Sequence, residues 1–246
     1  MIGSFLGMLS YRLPNGLSLL DPKRSICPKC NHQIAWYHNI PMVSYIILQG
    51  KCSYCNNKIS NHYFFIELVT AIIVFLLYFK MGLTSQFLVL SGVFCILILL
   101  SSIDFQFKAV PDYLLIMVLV TAFLYEEFNF QSALIFAGGF TLLELFVTFY
   151  IQNIKAKITK NEALKDQKSM GEGDIPIAAL IGGVLGVQLG VLAVMIGALS
   201  AMISAIYALF TTKEIETPFI PFLSFGLFVT FIFDGVLLDL LGKITS

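Results

Sequence analysis

Two sets of residues in this 246-residue chain have the types and spacing for chemistry. The first set is acidic. Asp104 closes an apolar stretch in SSIDFQFKAVPDYLL, and Asp174 opens another in MGEGDIPIAALIGGVLG. Carboxylates at the edge of hydrocarbon are expensive, so each asks for a reason. Two acids brought to one site cannot both ionise easily, and the pair then holds a single proton. One takes a proton from water while the other protonates the oxygen of a scissile carbonyl, which is aspartic-protease chemistry. Gly171 and Gly173 fit that use, because a backbone without Cβ lets a substrate strand lie against it. The plainer reading of Asp174 is a helix N-cap behind a glycine turn. Asp112, after Pro111, suits that plainer reading well. Asp104 suits it poorly, since the end of a helix disfavours an anion. Glu67, about one turn inside its own apolar run, either supports the acids or hydrogen-bonds between helices. Glu144 is a lesser candidate for support, and Asp234 and Asp239 tend toward the opposite membrane face.

The second set is sulfur. Cys27-Pro-Lys-Cys30 and Cys52-Ser-Tyr-Cys55 are separated by twenty-one residues. Each CxxC turn can aim two thiolates at one point, and two turns complete a tetrahedron around zinc. Four thiolates leave no open position for water, so such a zinc is structural rather than catalytic. A thiol-redox pair or unligated thiols are the other readings of the same spacing. The fifth cysteine, Cys95, lies within an apolar run and reads as packing. His32, His38 and His62 are not needed as ligands and read by default as surface or interface residues.

These residues must be positioned by helices in lipid. The chain is 58% hydrophobic and 12% charged, with a mean hydropathy of +0.86. That is about half the charge of an ordinary soluble domain, and it indicates an all-α polytopic membrane protein. Fifteen basic residues balance fifteen acidic ones, so there is no basic footprint for nucleic acid. Hydrophobic runs predict seven spans near 62–80, 84–103, 112–126, 131–151, 174–190, 191–211 and 219–241. Residues 1–11 read as part of a first helix, giving seven to eight spans in all. Residues 12–61 form a polar insertion holding the zinc ligands, and 62–246 the transmembrane peptidase region.

Alternate crossings gather the loops 12–61, 104–111, 152–173 and 212–218 on one side. Thirteen of the fifteen Lys and Arg residues lie there. The positive-inside rule puts that side in the cytoplasm. Asp104 and Asp174 then share one depth at the cytoplasmic helix ends. The cysteines share a reducing compartment, which disfavours disulfides.

The order of motifs resembles the bacterial type IV prepilin peptidases, members of the GxGD membrane aspartic proteases. GSFLGMLSYRLPNGLSLLDPKRSICPKC and NHQIAWYHNIPMVSYIILQGKCSYCNNKIS are similar to that family's cytoplasmic four-cysteine segment. IDFQFKAVPDYL is similar to the stretch carrying its first catalytic aspartate, here Asp104. MGEGD resembles the GxGD stretch, which gives Asp174 the second role, and IPFLSFG resembles the last-span signature. The resemblance implies cleavage of a basic leader from prepilins or pseudopilins at the cytoplasmic face of the inner membrane. It also implies N-methylation of the new terminus with S-adenosylmethionine. Glu172 and Asp112 are the nearest acids for a basic leader. One departure is Pro176, where the family often has lysine. Two readings from other classes remain: a thiol oxidoreductase using the CxxC pairs, and a non-catalytic assembly or transport protein whose acids bind ions.

Overall fold

Small residues bring the first helices together. In the computed structural model, which describes residues 2–18, 27, 29–30, 32–40, 42–159, 171, 173–211 and 217–245, helix α1 spans Ile2–Arg12. Its buried residues are Gly3, Leu6, Gly7 and Ser10, one face at helical spacing. That face lies against α3, Asn61–Met81. A Cβ on Gly3 would fall 2.7 Å from the Glu67 Cα, and one on Gly7 would fall 3.0 Å from the Tyr63 ring. Close backbone approach of this kind is how helices pack where lipid removes the hydrophobic incentive. The short helix α2, Val43–Ile47, precedes α3, and α4, Ser85–Phe107, follows it. Leu90, Val93, Leu100 and Ile103 of α4 have no exposed surface, so this helix is the centre of the first of two compact units, Met1–Phe107. Ser60 caps α3 by accepting the His62 N–H.

The second unit, Lys108–Ser246, is built around a broken helix. It begins with α5, Asp112–Ala122, and α6, Phe130–Phe149. Asn129 caps α6 by accepting the Ser132 N–H at 2.9 Å. The α6 helix runs on through a π-helical stretch, Tyr150–Lys155, into α7, Ala156–Thr159. Helix α8, Asp174–Thr211, is interrupted at Gly186, whose φ of 73° and ψ of −173° are not helical. The chain doubles back there. A Cβ on Gly182 or on Gly190 would fall within 2.7 Å of the same Phe136 ring. Eight residues of an unbroken helix would hold those glycines about 12 Å apart. The two arms therefore form a hairpin around Phe136. Helix α9, Ile220–Ile232, packs against the second arm, and α10, Asp234–Thr245, follows an 80° bend.

Helices α3 and α4 match the extents of two expected spans to within a few residues, and the described residues contain isolated bridge residues but no strand. The expected number of spans is not reached by length and composition. Among the described residues, four helices are long and apolar enough to cross a membrane, or five if α9 and α10 make one bent span. The differences have local causes. Expected span 112–126 is only the 11-residue α5, while 219–241 breaks at Phe233. The boundary expected near 190 lies at Gly186, where the positive φ sets it.

Candidate catalytic acids and metal centre

Asp174 is the first residue of α8 and is 5% exposed. Its carboxylate closes a reciprocal turn. The Gly171 N–H donates to Asp174 Oδ2 at 3.2 Å, and the Asp174 N–H donates to the Gly171 carbonyl at 3.1 Å. The two glycines of the motif have different jobs. A Cβ on Gly171 would meet only the Asp174 carboxylate, at 3.5 Å. A Cβ on Gly173 would fall 2.9 Å from Val110 and 3.0 Å from Ile220. Gly173 thus lets α9 and the segment before α5 close onto the base of α8. Ile220, 3% exposed, is the first residue of the IPFLSFG stretch. Pro221 at the next position suits a helix start, where its missing N–H has no intrahelical partner to lose.

Asp104 lies in the last turn of α4 and is 8% exposed. It belongs to the first unit with Glu67, while Asp174 belongs to the second with Asp112. Asp112 is exposed at the first position of α5, where an acid complements the helix dipole. Glu172 lies outside the described residues. Glu67 accepts the backbone N–H of Met42 at 2.7 Å, a partner twenty-five positions away in the polar insertion. His62, expected at the surface or at an interface, takes the interface role and joins α3 to α4. Its Nε2 is 2.8 Å from Ser102 Oγ and 2.9 Å from Gln106 Nε2. Nothing in the spacing of His62 pointed to that role; the i, i+4 pair Ser102 and Gln106 was the available signal.

The four cysteines converge. One ligand atom from each of Cys27, Cys30, Cys52 and Cys55 lies within 4.8 Å of the others. Cys27 and Cys55 Sγ are 3.8 Å apart. A tetrahedron of zinc–thiolate bonds has sulfur–sulfur edges of about 3.8 Å, whereas a disulfide needs about 2.05 Å. Local turns aim the thiols: the Cys52 N–H donates to the Asn57 carbonyl, and the Cys27 N–H to the His32 carbonyl. N–H groups of Cys30 and Lys29 bring the Cys27 thiol down to about 6. The Asn57 N–H acts to lower Cys55, yet lost hydration and the three neighbouring thiols push it up to about 11. A cation is what would let four thiolates share this space, and the donor set fits zinc. Because the Cys27 pKa is lowered, its thiolate persists down to about pH 6 and is lost below that value. Purified protein should hold about one zinc at pH 7 and release it to a chromogenic chelator on acidification, as protons compete with the metal for the thiolates. Cys52→Ser should lower bound metal already at pH 7; equal metal in the two proteins would remove the site.

Comparison with known proteins places the cysteines and the two acids in separate matched regions. Residues 1–81 match the Bacterial Peptidase A24 N-terminal domain, and residues 91–209 match the Type IV leader peptidase family. A prepilin leader peptidase/N-methyltransferase from Vibrio cholerae is 36% identical over 199 residues, covering 76% of this chain and 75% of that one. The proteins of that name from Pseudomonas aeruginosa and Neisseria gonorrhoeae are 28% and 29% identical, each covering 71% of its own length and 77% and 76% of this chain. No solved structure matches the chain.

Proposed function

Because this chain belongs to the type IV leader peptidase family, we propose that it is a membrane aspartic endopeptidase that removes the basic leader of prepilins or pseudopilins, with Asp104 and Asp174 as its two acids. One observation carries this reading. Among the described residues, Asp104 and Asp174 are the only buried carboxyl groups. Burying an acid costs free energy that a purely structural residue has no reason to spend. In the reaction, one carboxylate takes a proton from water as its oxygen attacks the carbonyl carbon. The other carboxyl, protonated, gives its proton to the carbonyl oxygen. Collapse of the resulting diol breaks the C–N bond, and a proton passes to the leaving amine. The Gly171 N–H holds one oxygen of Asp174 in place during this exchange.

The basic loops support a position for the acids and the cysteine cluster at the cytoplasmic face of the inner membrane. A leader arriving from the cytoplasm, joined to an apolar helix in the bilayer, would meet them there. The relatives' shared name also supports a second step, methylation of the freed amine by S-adenosylmethionine. A methyl group moves from the sulfonium to the amine nitrogen, which gives up a proton. A structural zinc on the four cysteines would hold the polar insertion folded.

The test is direct. Purified protein in detergent is incubated with a prepilin, with and without S-adenosylmethionine, and the products are read by mass spectrometry. Loss of the leader is expected in both samples, and an added methyl only with the donor. Prepilin that stays intact under conditions where a relative cleaves it would remove the peptidase assignment. Cleavage without methylation would remove only the second step.

A further inference from the structure

A short helix between the two cysteine pairs turns its apolar side outward. In α2, Val43, Ile46 and Ile47 are 50%, 65% and 73% exposed. The rest of the element is engaged. Buried Ser44 accepts the Ile40 N–H at 3.0 Å and donates to the Tyr37 carbonyl at 2.8 Å. Tyr45 packs against Phe64 of α3, with ring centroids 5.3 Å apart, and its hydroxyl donates to Asn61 Oδ1 at 2.6 Å. The outward side chains are therefore the free face of a fixed element. Three β-branched hydrocarbon side chains are costly to keep together in water.

The anchorage of α2 decides what meets that face. Met42, the residue before the helix, has φ 59° and ψ −48°, a conformation that non-glycine residues avoid. Its N–H donates to Glu67 Oε2 at 2.7 Å. Glu67 stands about 9 Å along α3 from its first residue, and α3 is long and apolar enough to cross a membrane. Phe65 and Val69, on either side of Glu67 in sequence, are themselves 57% and 41% exposed. The hydrogen bond thus holds α2 beside the first turns of a spanning helix, at the depth of the boundary between headgroups and acyl chains. Just beyond α2, exposed Lys51 and Lys58 oppose each other on an antiparallel bridge. Like charges paired in this way repel, and lipid phosphates would relieve the repulsion.

We propose that α2 is a membrane-surface element: Val43, Ile46 and Ile47 enter the bilayer boundary at the Asn61 end of α3, Lys51 and Lys58 meet anionic headgroups, and Glu67 is the positioning residue that sets the depth. This placement stands whether or not the acids cleave a prepilin.

The probe is a single tryptophan. Ile47→Trp is made in a Trp36→Phe background, or read as a difference from the parent if that background does not fold. The protein is placed in nanodiscs of phosphatidylcholine and phosphatidylglycerol, with or without bromine on the upper acyl chain. Brominated lipid should quench the emission of the introduced indole at least twofold, while aqueous acrylamide quenches it little. Glu67→Ala should lower the lipid quenching, and Glu67→Gln, which keeps an oxygen acceptor, should retain it. Quenching by acrylamide and not by brominated lipid would overturn the proposal. Protection from both would also overturn it, since the face would then be covered by protein.

Discussion

Asparagine at Asp174, or at Asp104, should leave a protein that inserts and folds but releases no detectable leader from a prepilin. The substitution conserves shape. It keeps an oxygen that can accept the Gly171 N–H seen on Asp174, so the turn before α8 should persist. What it removes is a group that can take up and return a proton. A single general acid or base is worth about a hundred- to ten-thousandfold in rate. Two acids that act as one unit are not additive, so either change alone should approach the loss of both. Leader release is compared with the parent at equal concentration of folded protein, with bound metal as the check that the polar insertion is intact. Cleavage by either variant at the parental rate would take that residue out of the catalytic pair.

Gly226→Ala should give the largest loss of stability from a single methyl group. A Cβ at this position would collide with the Ala193 carbonyl oxygen and fall 3.0 Å from the Gly197 nitrogen. Both are backbone atoms, so no side chain can rotate away. On the facing helix, a Cβ on Gly197 would lie 2.9 Å from the Phe222 carbonyl oxygen. Each helix uses a glycine to admit the backbone of the other, and α9 could accept the methyl only by moving off α8. Overpacking in a well-filled interior costs about 1–3 kcal/mol, and a clash with backbone belongs at the upper end. In detergent the variant should unfold several degrees below the parent by circular dichroism. Gly138→Ala is the control: nothing lies within 4 Å of its Cβ position, and alanine favours a helix. Equal unfolding temperatures for Gly226→Ala and the parent would show that the two helices have room to separate.

The parts of the fold legible in the sequence are those governed by composition and short spacing. The apolar runs of α3 and α4 have few polar interruptions, so hydropathy places them closely. Two CxxC pairs suffice to bring four sulfurs together, because each pair needs only a local turn. The glycine-rich run 182–190 was harder. Hydropathy cannot distinguish a glycine that turns the chain from one that admits a neighbour. Gly182 and Gly186 have the small-xxx-small spacing of a helix-packing pair. In the structure Gly182 shares Phe136 with Gly190, while a Cβ on Gly186 would meet nothing within 4 Å. The acids show the same limit. Burial of Asp104 and Asp174 follows from their positions at the ends of apolar runs. The bond between Glu67 and Met42 depends on the path of an intervening polar segment, and no periodicity encodes that path.

The reversal at Gly186 governs how water must travel. The arm leading to it from Asp174 is about 18 Å long, too short by itself to cross a hydrocarbon layer. Ile220 touches Gly173 while Phe222, two residues later, touches Gly197. The acid-bearing end of the short arm is therefore level with the middle of the longer one. Beyond that level the longer arm continues to Thr211 past Met202, Ile203, Ile206, Leu209 and Phe210. In the proposed reaction hydrolysis consumes one water per bond cut, and that molecule would pass this oily stretch on its way to Asp174. If that reaction holds, turnover requires a wet path beside the longer arm as well as the acids, and greasy substitutions that close such a path should slow leader release while leaving the carboxyl groups untouched.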